Sequence, residues 1–183
     1  MKKPIYGWHF VNATLRDGSP IPPDGEWLEY TGKVKMCESG LHFSPTPWQA
    51  LEYAPGATLC YVELENIVDQ DENKGVCSRR KIIAKMDATE ALRYFARMQA
   101  LSVSHLWAET DDPNDVVLDF LLTGENLAAA RAAARDAARD AAWAAAWAAA
   151  RDAARAAARD AARAAAMSDF NELIYECFED VLE

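Results

Sequence analysis

A chain of 183 residues can bury one ordinary core, but its 51% hydrophobic content overstates that core because alanine dominates 128–166. The net charge of −10 is uneven: residues 1–127 carry 12 basic and 19 acidic side chains, 128–166 carry 7 arginines and 4 aspartates, and 167–183 carry 6 acids and no base. A basic arm between two acidic bodies suits protein contacts and argues against direct nucleic-acid binding.

Membrane insertion is excluded in the same way, since Arg or Asp interrupts the alanine tract throughout. The opening MKKPIYGWHF is broken by Pro4, Gly7 and His9, so it does not read as a signal peptide. Cys37, Cys60, Cys77 and Cys177 form no CxxC pair and are expected as free thiols in a reducing cytoplasm, that of the host cell.

In chain order, Ile5–Val11 reads as a strand, followed by turns at Asp17-Gly18-Ser19-Pro20 and Pro22-Pro23-Asp24-Gly25. Short strands are predicted at Trp27–Tyr30 and Leu41–Phe43, then longer ones at Thr58–Leu64 and Lys81–Met86 with the polar loop 69–75 between them. Ser44-Pro45-Thr46-Pro47 turns into a short helix carrying Trp48, Leu51 and Tyr53. Asp87-Ala-Thr-Glu90 opens a helix with Leu92, Phe95, Met98 and Leu101 at helical spacing, and Asp112-Pro113 opens another that Gly124 closes. Asn126 is placed to cap the helix after it.

From Arg131 a large residue stands at every fourth position: Arg131, Arg135, Arg139, Trp143, Trp147, Arg151, Arg155, Arg159 and Arg163. Almost everything between is alanine, the best helix former, so a rod of about 40 residues and ~60 Å is predicted. A period of four advances about 40° per repeat, which winds the large side chains around the axis and excludes one straight stripe. Trp143 and Trp147, flanked by Arg139 and Arg151, are spaced for cation–π stacking along the rod. The closing stretch SDFNELIYECFEDVLE predicts an amphipathic helix capped by Ser168, with Phe170, Leu173, Ile174, Cys177, Phe178, Val181 and Leu182 on one face. That face calls for burial against the N-terminal body, the rod or a second copy.

The run KMCESGLHFSPTPWQALEY, then ATLCYVELENIV, then GVCSRRKIIAKM resembles an uncharacterised domain of phage and prophage proteins. Its marks are a Cys-x-x-Gly-Leu-His motif and a Cys-Ser-Arg-Arg-Lys-Ile strand ahead of the first helix, over roughly residues 5–93. In those proteins the domain often precedes a repetitive tail, as the alanine tract does here. A more distant similarity is to ADP-ribosyltransferases, in which GLHFSPTPWQALEYA matches the strand, turn and helix around the nicotinamide pocket. That similarity implies that His9 holds the adenosine ribose of NAD, with His42, Ser44 and Thr46 lining the pocket. It also implies that Glu63 or Glu65 stabilises the oxocarbenium-like transition state. The family glutamate sits on a later strand, however, and the matching SRRKIIAKM has none.

Other constellations are bland. Cys37, His42, Cys60 and Cys77 match no common zinc spacing, and Asp69, Asp71, Glu72 and Asn73 lack a calcium-loop spacing, so no metal site is expected. Ser78-Arg79-Arg80-Lys81 is a small basic patch expected to pair with local acids.

These readings give an α+β protein with a small mixed or antiparallel sheet: an α+β domain in 1–86, a helical extension in 87–125, the repeat helix in 126–166, and an acidic end helix in 167–183. The expected function is non-catalytic and cofactor-free: protein interaction or inhibition, of the kind that blocks a host defence or nucleic-acid-handling complex such as CRISPR. The partner is a host or phage protein. Trp143, Trp147, Arg139, Arg151, Phe170, Ile174 and Phe178 are its expected interaction residues, with homo-oligomerisation through 127–182. The alternatives are an NAD-dependent mono-ADP-ribosyltransferase acting on a host protein and a structural protein that assembles through the rod.

Overall fold

A computed structural model describes residues 3–102, 113–133 and 152–182. The chain divides into two compact units, Met1–Glu90 with Ser168–Glu183, and Ala91–Met167. The fold is α+β, with one five-stranded antiparallel sheet and several helices.

The sheet belongs to the first unit. Strands β1 (Ile5–Val11), β2 (Trp27–Glu29), β3 (Leu41–Phe43), β4 (Thr58–Gln70) and β5 (Gly75–Asp87) take the order β1-β4-β5-β2, with β3 also paired to β5. The central β4–β5 hairpin is longer at both strands than its sequence suggested. Pairing continues beyond Leu64↔Arg80 through Glu65↔Arg79 and Ile67↔Cys77 to Gln70↔Gly75, and the polar loop shrinks to a tip at Asp71–Lys74. There the Asp71 carboxylate accepts from the amides of Asn73 and Lys74, an Asx turn that needs few residues. A register shift between Ile67 and Asp69, with Asn66 just before it at φ 54°, lets the polar sequence stay paired while the strand bends.

Because β3 pairs with β5 and the next residue, Ser44, exchanges both backbone hydrogen bonds with Trp8 of β1 at 2.8 Å, the sheet curls toward closure. Strand alternation then sorts side chains onto an inner and an outer face. Val11, Phe43, Cys60, Val62, Leu64, Cys77 and Ile82 form the inner core, with Leu15, Ile21, Leu41 and Ile67 packed on it.

Helix α1 (Pro47–Leu51) starts as its sequence suggests. Thr46 and Gln49 form a capping box and Pro47 occupies the first turn. The Gln49 amide also donates to the Glu72 carbonyl at 2.7 Å, which ties the helix to the hairpin tip.

The second unit contains most of α2 (Thr89–Ser102), together with α3 (Pro113–Thr123) and helical residues at 127–133. The Asp87 side chain accepts from the Thr89 amide at the start of α2. Gly124, at φ 81°, closes α3 as expected, with Arg97 lying against it. Asn126 accepts the first helical bond of the next segment, from the Ala130 amide.

The expected cap at Ser168 is corrected. Helix α4 runs unbroken from Asp152 to Cys177, because a preceding alanine helix leaves Ser168 no free helix end to cap. Bonding tightens to i→i+3 at Phe178, and a short α5 (Glu179–Leu182) follows. Phe170, Ile174 and Phe178 are buried at i, i+4 and i+8. They pack on the N-terminal unit's own aromatics: Phe178 meets Trp8 edge-on at 5.0 Å and Phe170 meets Trp48 at 5.8 Å. The Trp48 amide donates to Asn171 Oδ1 at 2.9 Å. The face is narrower than its sequence suggested, since Cys177, Val181 and Leu182 are exposed. The rod's Arg139, Trp143, Trp147 and Arg151 lie outside the described residues.

Candidate functional site

The curled sheet encloses a cavity of about 1040 Å³, open to solvent, whose lining includes His9, His42, Ser44 and Arg80. Alternation brings His9 there, because it pairs with Cys60 on the inner face while its neighbours Trp8 and Phe10 point outward. Ser44 arrives at the end of β3 and is buried. Thr46 does not line the cavity and serves as the α1 cap instead.

His42 has a defined local job. Its Nε2 accepts from the Cys37 amide at 3.0 Å, and the ring also hydrogen-bonds the Gly40 backbone. With Cys37 at φ 63° and Gly40 at φ 108°, the Cys-x-x-Gly-Leu-His motif is a turn latched by its own histidine. Desolvation first, and the Arg80 charge second, lower the His42 pKa, and protonating Nε2 would set two donors against each other.

Arg80 is the residue that sequence reasoning missed. In the sequence it stands with Arg79 and Lys81 as one patch, and those two do pair with acids: Arg79 with Glu29 at 2.8 Å and with Glu65, and Lys81 with Glu63 at 2.6 Å. Both also sit over the Trp27 ring, at 4.5 and 4.7 Å. Arg80 lies between them with the opposite phase, so its side chain enters the core face and is only 5% exposed. Its Nη1 donates to the His42 carbonyl, and no carboxylate among the described residues pairs with it. Its phase with Ile82 was the available signal: an arginine two residues from a core isoleucine in a strand points inward.

The same alternation separates His9 from the expected glutamates. Glu63 and Glu65 stand on the outer face in their ion pairs and do not line the cavity that His9, His42 and Ser44 line. Three other acids reach the cavity rim, and each is engaged: Asp17 with Ser19, Glu29 with Arg79, and Glu38 with Lys35.

The inner groups are tuned toward neutrality around one fixed charge. Burial pushes the Cys60 and Cys77 thiols up to about 11, so they stay protonated. Desolvation, with Arg80 and His42 adding to it, lowers the His9 pKa well below its usual 6.5. Among the described residues no group of His, Cys, Asp and Glu is arranged to hold a metal ion.

The His9 shift sets the sign of a pH dependence. Between the native pKa of His9 and about 6.5 the unfolded chain binds more protons than the native one, so stability falls as pH drops through that window, at ~1.4 kcal/mol per pH unit. Urea unfolding at a series of pH values should show that decline below about 6.5, and His9→Gln should make it shallower, leaving the part that His42 contributes. An unchanged slope in His9→Gln would mean that His9 titrates alike in both states.

No helix among the described residues is long and apolar enough to cross a membrane. Neither a curated protein nor a solved structure gives a significant match to the chain. Residues 5–94, which span all five strands, α1 and the cavity, match the model of a family described as a domain of unknown function (DUF7666).

Proposed function

We propose that this chain is a non-catalytic protein-interaction protein, of the binding or inhibitor kind, rather than an ADP-ribosyltransferase. The observation that carries this reading is the opposite placement of His9 and the two glutamates. A transferase needs a carboxylate facing the bound ribose, and Glu63 and Glu65 face Lys81 and Arg79 on the other side of the sheet. The chemistry of the partner is suggested by the C-terminal helices. With Phe170, Ile174 and Phe178 turned into the unit, Glu172, Glu176, Glu179 and Asp180 are left exposed, a surface suited to a basic protein.

The test is incubation of the full chain with labelled NAD and a host lysate. The expected result is no label transfer by the wild-type chain. Transfer that disappears in Glu63→Gln or His9→Ala would overturn the reading. A partner captured by the wild-type chain should be lost when Glu172, Glu176 and Glu179 are replaced by lysine, and capture should weaken as salt rises.

A further inference from the structure

A buried guanidinium without a counter-ion is costly, and proteins normally pair such a charge or bind something that does. Arg80 is only 5% exposed, yet its hydrogen bond runs to a backbone carbonyl, and the titratable side chains it interacts with in the core, Cys60, Cys77, His9 and His42, bring no negative charge. The acids on the neighbouring strands and turns are engaged elsewhere: Glu29 and Glu65 by Arg79, Glu63 by Lys81, and Asp24 by Lys85. The same side chain lines a solvent-open cavity many times larger than a bare phosphate, with Tyr30, Phe43 and Tyr53 also in its wall. A planar fork of donors facing such a space is suited to a carboxylate or phosphate, and the aromatic wall is suited to the body that carries it.

We infer that the inner cavity is a binding site for a small organic anion, a phosphate or carboxylate on an aromatic or apolar body, with Arg80 taking the charge. His9 and Ser44 stand in the same cavity as neutral hydrogen-bonding groups. Arg16 and Lys74 at the rim add positive charge to the mouth, opposed there by Asp17, Glu29 and Glu38. The site is therefore selective through its depth rather than through the net charge of its entrance. The inference does not rest on the protein partner proposed above, and either can fail alone.

Phenyl phosphate, with phenol as its uncharged counterpart, is a suitable probe pair for calorimetric titration of the full chain. Phenyl phosphate should bind, with phenol at least ~10-fold weaker, and Arg80→Met should lower phenyl phosphate affinity ~10- to 100-fold, the range expected for losing a charged hydrogen-bonding partner. Lys81→Met, on the outer face and paired with a glutamate that does not line the cavity, should leave it unchanged. Equal binding of the two probes, an unaffected Arg80→Met, or no binding of phenyl phosphate to the wild-type chain at millimolar concentration would each overturn the inference. Should Arg80→Met fail to fold, the wild-type chain still decides: phenyl phosphate should shift the Arg80 Nε–H resonance in the NMR spectrum. An unmoved Arg80 signal at saturation would contradict the assignment.

Discussion

Phe170→Ala should cost the N-terminal unit about 3–5 kcal/mol, the range for truncating a fully buried aromatic. Phe170 has no exposed surface, and it joins the C-terminal helix to α1 through the ring of Trp48. Removing it leaves a void beside Trp48 and weakens the seat of Ile174 one turn later. Chemical unfolding measures the cost directly. Tyr175→Ala on the same helix is the natural control, because Tyr175 is 38% exposed and touches Trp8 at 5.8 Å, so its loss should be much smaller. A Phe170→Ala cost no larger than that of Tyr175→Ala would mean that the helix is not seated on this body.

The second large effect belongs to the latched turn. Gly40 sits at φ 108°, where a side chain is strained, and an added Cβ would lie 2.8 Å from Val34 Cγ1 and from Val76 Cγ2. Backbone strain and overpacking each cost about 1–3 kcal/mol, so Gly40→Ala should lose roughly 2–5 kcal/mol. Gly18 has a similar positive φ of 84° but open space around it, so Gly18→Ala carries strain alone. The difference between the two variants in urea unfolding isolates the packing cost. Equal losses would show that the turn does not press on Val34 and Val76.

Both effects concern features that the sequence made partly legible. The β1 bounds, the Thr46-Pro47 helix start and the Gly124 stop follow from local chemistry: alternation, a capping box and a positive φ. The length of the β4–β5 hairpin was hidden because its far half is polar. Glu65, Asn66 and Asp69 look like loop residues until cross-strand pairs with Arg79 and Val76 place them on a ladder. The Ser168 cap was misread for a related reason. A capping residue acts only where a helix begins, and upstream alanine decides that.

The candidate site was legible as a set of residues but not as an arrangement. His9, His42 and Ser44 do come together, whereas Glu63 and Glu65 do not, and between His9 and the glutamates the difference is the two-residue period of a strand. His9 and Glu63 lie on antiparallel neighbours in opposite phase, which can be deduced only once the register His9↔Cys60 is known. Arg80 was overlooked for the converse reason. A run of three basic residues reads as a surface patch, but in a strand one of the three must face the other way, and here it faces the core.

The central claim is that a buried cation and a neutral imidazole share the inner cavity while the candidate glutamates stay outside it. The most direct test is the pKa of His9, followed by NMR of ring-labelled histidine. The expected result is a value below 6.5 that rises in Arg80→Met and is unmoved by Glu63→Gln or Glu65→Gln. A His9 pKa at or above the ordinary value, falling when Glu63 or Glu65 is neutralised, would place a carboxylate beside the histidine and contradict the account.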